Sequence, residues 1–134
     1  MVILVSATEH TGDSYGGGVR KSYPRSLRLL RHADFERVYQ QGRRHFSAHM
    51  TVFYLRREDG GTRVGYTVSR VLGNAVVRNR MKRRLREAVR LGRPNTNASV
   101  DIVINPKKSL LHASFDDLLN EIERAFSVAQ RAHE

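Results

Sequence analysis

The chain has 134 residues, 28% of them charged and 40% hydrophobic, a balance that fits one folded domain and argues against a disordered chain. It contains no cysteine, which excludes disulfides and cysteine-based metal or redox sites, and no apolar run approaches the roughly 20 residues that a membrane-spanning helix needs. The formal net charge of +11 indicates a polyanionic partner, with nucleic acid the first candidate and an anionic membrane surface the second.

Residues 1–26 are interpreted as a flexible extension that precedes a single domain over residues 27–134. The stretch TGDSYGGGVRKSYPRS is rich in glycine, serine and other turn formers and shows no periodicity. Its glycine triplet lacks the Lys-Ser/Thr pair and the flanking strand and helix of a phosphate-binding loop. The triplet therefore indicates a linker and not a nucleotide site.

A short helix and two strand segments are predicted next. Residues 32–42 form the helix, with Asp34 expected to cap its start and Gly42 to end it. One face of this helix carries its apolar residues, Phe35, Val38 and Tyr39. Segments 45–57 and 62–70 are rich in β-branched and aromatic residues and are joined by the turn sequence EDGG. The first segment is long enough to bend and to contain two strands.

The segment NAVVRNRMKRRLREAVRL, residues 74–91, is predicted to be an amphipathic helix with one apolar face and a basic remainder. Asn74 is placed to cap its start, and Gly92 and Pro94 to end it. Its apolar residues recur at spacings of three and four: Val77, Met81, Leu85, Ala88 and Val89. Like charges four residues apart cost an isolated helix roughly 0.2–0.5 kcal/mol each, and burial of the apolar side chains outweighs that at roughly 1.5–3 kcal/mol each.

The last two predicted elements are a strand over residues 98–106 and a helix over residues 112–133. The strand has a continuous apolar run, which is typical of a strand covered on both faces. Ser114 is expected to cap the helix. The order α-β-β-β-α-β-α predicts an α+β fold, an α/β sandwich in which helices pack on one face of a roughly four-stranded mixed sheet.

The charge on residues 70–93 favours a polyanion over a merely solvated surface. Nine Lys or Arg side chains lie in this stretch, with Glu87 as its one acid, whereas ordinary exposed faces mix both signs. An interfacial membrane helix needs a broad apolar face, but this face is narrow, lacks aromatic residues and is needed for the core. A basic helix that reads duplex DNA would more typically come with a dimerising zipper, and no heptad run follows, so RNA is favoured.

No arrangement of a nucleophile with a base predicts catalysis by the chain itself. His45 and His49 would lie about 13 Å apart along a strand, too far to share one ion without a bend. Asp116 and Asp117 diverge as neighbours on a helix and fit a dipole-complementing first turn better than a Mg²⁺ pair. We therefore expect no catalytic residue and no metal site in the protein.

The sequence GNAVVRNRMKRRLREA resembles the Arg-Asn-Arg signature helix of the bacterial ribonuclease P protein subunit. DFERVYQQGRR and VGYTVSR before it, and DIVI with a helical segment after it, follow the same order over about residues 25–130. The resemblance implies an α/β sandwich with a left-handed βαβ crossover, in a cytoplasmic ribonucleoprotein. In that enzyme a catalytic RNA with Mg²⁺ removes the 5′ leader of precursor tRNA, and the protein, which holds no cofactor of its own, contacts the RNA and the leader.

The resemblance also implies two sets of RNA-binding residues. Contacts with the catalytic RNA are expected from Arg70, Asn74, Arg78, Asn79, Arg80, Lys82, Arg83, Arg86 and Arg90. Contacts with the single-stranded leader are expected from Phe35, Tyr39 and Phe53. Aromatic stacking binds single strands with about 1–3 kcal/mol per base, although plain core packing is the alternative for these three rings. Neither a membrane nor an obligate protein partner is implied.

Two other functions remain open from the sequence. The first is a plain RNA-binding protein, such as a ribosomal component or a chaperone, that shares the basic helix. The second is a DNA-binding or architectural protein. Pro106 also departs from the family, in which Ala followed by Arg or Lys is common after the last strand.

Overall fold

The computed structural model describes residues 2–6, 31–92 and 98–131, and of residues 2–6 it describes the backbone. The elements in chain order are β1 (Val2–Ser6), α1 (His32–Gln41), β2 (Arg43–Phe46), β3 (Met50–Arg56), β4 (Arg63–Ser69), α2 (Ala75–Gly92), β5 (Val100–Pro106) and α3 (Phe115–Arg131). Short 3-10 turns, Arg70–Leu72 and Lys108–His112, precede α2 and α3. The α+β class and the predicted order of elements from α1 onward are confirmed.

The strands form one sheet in the order β1-β4-β5-β3-β2. β4 and β5 are parallel and the other pairs are antiparallel, so β4, β5, β3 and β2 are the predicted four-stranded mixed sheet. β4, α2 and β5 form the predicted βαβ unit, and its left hand stays a prediction.

β1 adds a fifth strand at the edge of the sheet, beside β4. Its register pairs Val2 with Ser69 and Ser6 with Gly65. The extension was predicted to lack regular structure, and Val2–Ser6 departs from that prediction because its β-branched and aliphatic residues suit a strand. The rest of the extension lies outside the described residues.

The helices cover both faces of the sheet, so the expectation of helices on one face is wrong. Ile102 and Ile104 of β5 join the main core with α2 and α3. Val103, between them, packs with Phe35 and Val38 of α1 in a smaller cluster. Because successive side chains of a strand point to opposite faces, α1 covers the face opposite α2 and α3. The predicted coverage of β5 on both faces is confirmed.

At the two ends of α1, one predicted boundary residue is wrong and the other is confirmed. Asp34 does not cap the helix, because Arg31 is the N-cap residue and forms no side-chain cap hydrogen bond. Gly42 ends the helix as predicted, and its N–H donates to Val38 O at 2.8 Å. A Cβ at Gly42 would lie 2.5 Å from the carbonyl oxygens of Val38 and Tyr54, so this close approach of α1 to β3 requires glycine.

A buried ion-pair cluster connects α1 to the sheet and was not foreseen from the sequence. Asp101 is fully buried, and its carboxylate accepts two hydrogen bonds from Arg63, at 2.8 and 2.7 Å. Arg57 Nε lies 2.6 Å from the same carboxylate, and Arg63 Nη2 lies 3.5 Å from Asp34. The hydrogen bond with Asp101 raises the pKa of Arg63. Asp34 is therefore a partner of this cluster and not a helix cap.

Candidate nucleic-acid interface

The start of α2 is fixed by the residues that precede it. Asn74 Oδ1 accepts a hydrogen bond from the Val77 N–H at 3.0 Å, which confirms Asn74 as the N-cap. Gly73 has a φ of 153°, and its carbonyl accepts a hydrogen bond from Arg78 Nε at 3.1 Å. Asn74 and Arg78 therefore hold the turn that orients the basic helix.

Replacing Asn74 by Ala is expected to lower the free energy of unfolding by about 1 kcal/mol, because the Val77 N–H loses its acceptor. Urea unfolding measures this change. Asn79, one turn further along the exposed side of α2, is the matched control, and Asn79→Ala should leave the midpoint nearly unchanged. Equal midpoints for Asn74→Ala and the unmodified protein would contradict the capping role.

The apolar face of α2 anchors the helix as predicted. Met81, Leu85, Ala88 and Val89 are at most 1% exposed, and Val77 is half-buried against the same core. This face packs on α3 as well as on β4, which the sequence pattern did not indicate. Because the core holds α2 along its length, its cationic side chains stay on a rigid surface.

Most cations of the predicted catalytic-RNA set lie at the surface of α2 or just before it. Arg70, Asn79, Arg80 and Arg83 are exposed, as is the N-cap Asn74, whereas Arg78, Lys82 and Arg86 are half-buried. Among the described residues, no carboxylate pairs with Arg70, Arg80, Lys82 or Arg83. These four charges are therefore available to an anionic ligand.

Arg90 differs from the rest of the predicted set because it is paired. Its Nε and Nη2 donate to the Glu87 carboxylate at 3.2 and 2.5 Å. The hydrogen bond with Arg90 lowers the pKa of Glu87, and the same bond raises the pKa of Arg90. The structure thus places Arg90 on the exposed side of α2 but with its charge compensated by a neighbour.

Arg84 also differs from the other cations of α2, because backbone carbonyls surround its guanidinium. Its Nη1 donates to Leu110 O at 2.7 Å and to Leu111 O at 3.2 Å, and its Nη2 donates to Ala113 O at 2.7 Å. The sequence pattern placed Arg84 on the exposed basic surface. Its contacts instead join α2 to the segment that follows β5.

The three aromatic residues predicted to bind a leader have different surroundings. Phe35 is 2% exposed and packs with Val38 and Val103, so its ring cannot stack on a base and we assign it to packing. Tyr39 and Phe53 are half-buried neighbours whose ring centroids lie 4.8 Å apart at an interplanar angle of 84°. These two rings, and not Phe35, line the surface beside α1.

Polar contacts fix the position of Tyr39. Its hydroxyl lies 2.5 Å from Thr67 Oγ1 and donates to Asn105 Oδ1 at 3.0 Å. Burial raises the pKa of the Tyr39 hydroxyl, and the two hydrogen bonds oppose part of that increase. The ring is therefore held in one orientation against Phe53 by contacts with β4 and β5.

β2 contributes two further residues beside these rings, and neither was predicted from the sequence. Arg44 pairs with Phe53 in the β2–β3 register, and Phe46 pairs with Thr51, so Arg44 and Phe46 share the face that α1 covers in part. The Arg44 guanidinium lies 5.7 Å from the Phe46 ring centroid and 6.0 Å from that of Phe53, and Phe46 is 65% exposed. In the sequence RRHF of β2, Arg44 and Phe46 are two residues apart and therefore lie on the same face of the strand. This alternation could have identified them if residues 43–46 had been predicted as a separate strand.

The two candidate surfaces lie on opposite faces of the sheet. We call Arg70, Arg80, Lys82 and Arg83 the basic surface, and Tyr39, Phe53, Arg44 and Phe46 the aromatic surface. Two ligands can therefore contact the protein at the same time. Over residues 31–92 and 98–131, no three His, Asp or Glu side chains converge as a metal site, and no helix of the described chain is long and apolar enough to cross a membrane.

Comparison with known proteins gives one consistent family. The Ribonuclease P family model matches residues 23–130. The ribonuclease P protein component of Desulfovibrio desulfuricans is 45% identical over 95 residues, which are 69% of this chain and 73% of that relative. The corresponding protein of Symbiobacterium thermophilum is 41% identical over 112 residues, or 83% of this chain and 94% of that relative.

Solved structures agree with this match. The RNase P protein from Staphylococcus aureus aligns with a TM-score of 0.64 at 26% identity, covering 81% of this chain and 92% of that one. The RNase P protein from Thermotoga maritima aligns with a TM-score of 0.58 at 28% identity, covering 71% and 94%. The chain therefore belongs to the ribonuclease P family, as a protein component of this tRNA-processing endoribonuclease.

Proposed function

We propose that the basic surface binds the catalytic RNA of ribonuclease P and that the aromatic surface binds the 5′ leader of precursor tRNA. The observation that carries the proposal is that Arg80, Lys82 and Arg83 of α2 pair with no carboxylate of the described residues, on a helix whose apolar face is buried. Like charges on one helix cost stability, and a polyanionic ligand removes that cost. Arginine also suits phosphate because its planar guanidinium donates two parallel hydrogen bonds.

The proposal assigns the leader to the aromatic surface because its side chains suit a single strand. Phe46 and Phe53 offer ring faces for stacking, and Arg44 beside them supplies a charge for the backbone. Duplex RNA presents no unstacked bases to such rings. The leader is single-stranded, whereas mature tRNA is folded, so this surface distinguishes the substrate from the product.

The proposed division of labour leaves the hydrolysis to the RNA. Mg²⁺ is required by the RNA-containing holoenzyme, and the protein acts by binding and orienting the substrate. The reaction takes place in the cytoplasm, a reducing compartment that a cysteine-free chain suits. Among the described side chains we assign none to the bond-breaking step.

Reconstitution tests this function directly. The full chain is mixed with a bacterial ribonuclease P RNA at low Mg²⁺, and removal of the 5′ leader from precursor tRNA is measured. We expect cleavage well above that of the RNA alone under the same conditions, and no cleavage by the protein alone. Cleavage by the purified protein without RNA would overturn the division of labour, and an unchanged rate upon adding protein would overturn the function.

Replacing Arg83 by Ala is expected to weaken binding to the catalytic RNA and to lower the slope of log affinity against log salt by about one, because one phosphate contact is lost. Filter binding over a series of salt concentrations measures both quantities. Arg90→Ala is the matched control, and we expect a smaller change because Glu87 already compensates the Arg90 charge. Equal slopes for Arg83→Ala and the unmodified protein would place Arg83 outside the RNA contact.

A further inference from the structure

Arg84 holds one end of a short segment, residues 107–113, which we call the bridge segment. The segment leaves β5, passes through the 3-10 turn Lys108–His112 and leads to α3. Three of its carbonyl oxygens, those of Leu110, Leu111 and Ala113, accept hydrogen bonds from the Arg84 guanidinium. Arg84 Nη1 and Nη2 thus bind the backbone of the protein itself, whereas the neighbouring Arg83 is available to an anionic ligand.

The other end of the bridge segment is bonded to the turn between β2 and β3. Ser109 Oγ lies 2.8 Å from His49 Nδ1, and the Lys107 N–H donates to His49 O at 2.9 Å. Lys107 Nζ donates to Ser47 O at 3.0 Å. This turn directly follows Phe46, the most exposed ring of the aromatic surface. Hydrogen bonds therefore lead from α2 to the edge of the aromatic surface.

The turn between β2 and β3 also faces α3. An open cavity of about 530 Å³ lies between residues 45–49 and the side chains of α3, which include Asn120 and Arg124. Two direct contacts cross to Glu121 of α3: its Oε1 accepts a hydrogen bond from the His49 N–H at 3.1 Å, and its Oε2 lies 3.7 Å from His49 Nε2. Polar contacts therefore connect the turn to its neighbours, and the bridge segment supplies three of them.

We propose that Arg84 is a positioning residue that couples the basic surface to the aromatic surface through the bridge segment. This inference rests on the proposed function, because it assigns the two surfaces their RNA ligands. Arg84 holds the bridge segment on α2, the bridge segment holds the β2–β3 turn, and the turn holds Phe46 in the leader site. A change at Arg84 therefore alters leader binding on the opposite face of the sheet.

The test compares Arg84→Met with Arg83→Ala in the reconstituted holoenzyme. The first readout is the ratio of affinities for precursor tRNA with a leader and for mature tRNA. The second is the salt slope of binding to the catalytic RNA. For Arg84→Met we expect the affinity ratio to fall about threefold to tenfold, a size typical of couplings through contact networks, with an unchanged salt slope. For Arg83→Ala we expect the reverse pattern.

A double-mutant cycle tests whether Arg84 and Ser109 act along one path. Ser109→Ala removes the side-chain contact with His49, and we expect Arg84→Met/Ser109→Ala to lose no more of the affinity ratio than the more damaging of the two single variants. Glu121→Gln alters the separate contact from α3, and its effect should multiply with that of Arg84→Met. If Arg84→Met fails to fold, Ser109→Ala alone carries the same expected loss of the ratio.

Three results would overturn the coupling. They are a fall in the salt slope of Arg84→Met equal to that of Arg83→Ala, an unchanged affinity ratio in Arg84→Met or Ser109→Ala, and independent effects of the two substitutions. Failure of the proposed function would look different, because the unmodified holoenzyme itself would then bind precursor and mature tRNA equally well.

Discussion

Replacing Asp101 by Asn is expected to lower the free energy of unfolding by about 3–5 kcal/mol, because it removes the buried carboxylate that compensates the largely buried charges of Arg57 and Arg63. The Asp101 side chain is 0% exposed, and those of its partners Arg57 and Arg63 are 18% and 21% exposed. Because Arg57 and Arg63 keep some access to water, we expect the decrease in the free energy of unfolding to lie at the lower end of this range. The midpoint of urea unfolding, with an unchanged slope, measures it.

Asp59 provides the matched control for this substitution. It is an exposed acid in the turn between β3 and β4, and Asp59→Asn should change the free energy of unfolding by no more than about 0.5 kcal/mol. If Asp101→Asn and Asp59→Asn unfold at the same urea concentration, the ion-pair cluster does not stabilise the fold. Because Arg63 also contacts Asp34, the destabilised variant should expose α1 first, which hydrogen exchange of α1 amides would detect.

Replacing Phe53 by Leu is expected to weaken binding of leader-bearing tRNA about fivefold to a hundredfold, which corresponds to the loss of one stacked base. Leu retains an apolar contact with Tyr39, so the fold is kept while the aromatic face is lost. Binding of mature tRNA should stay the same, because it has no leader. Equilibrium binding of the two tRNAs to the reconstituted holoenzyme measures the difference.

Phe115, a half-buried ring at the start of α3, is the control position for Phe53. Phe115→Leu should affect the two tRNAs equally or not at all. Equal weakening of both tRNAs by Phe53→Leu would favour a general RNA-binding protein, and Phe53→Ala should follow the same pattern as Phe53→Leu. If duplex DNA displaced structured RNA from the protein at the same salt concentration, the result would favour a DNA-binding protein.

Local patterns account for the parts of the structure that were predicted well. The cap at Asn74 and the buried face from Met81 to Val89 depend on residues close together in the chain, so their spacing reveals them. The same is true of the end of α1 at Gly42. The position of the basic surface could therefore be predicted from the sequence without any tertiary contact.

Long-range contacts account for what the sequence could not reveal. Asp101 meets Arg57 and Arg63 across neighbouring strands, and Arg84 meets carbonyls 26 to 29 residues away. Phe35 and Tyr39 share one side of α1, and the exact distance of each ring from the sheet decides which of them is buried. Sequence periodicity does not reveal which of these side chains are buried or paired, because each case depends on which elements pack together.

The addition of β1 to the sheet also bears on how the protein avoids self-association. β1 occupies the backbone hydrogen-bonding edge of β4, and the two edge strands of the described sheet are therefore β1 and β2. β2 is four residues long and begins with Arg43 and Arg44. Short, arginine-bearing edge strands resist pairing with a second molecule, because charge repulsion opposes the growth of a shared sheet. At the β2 edge, residues that suit nucleic acid thus also oppose pairing with a second molecule while no RNA is bound.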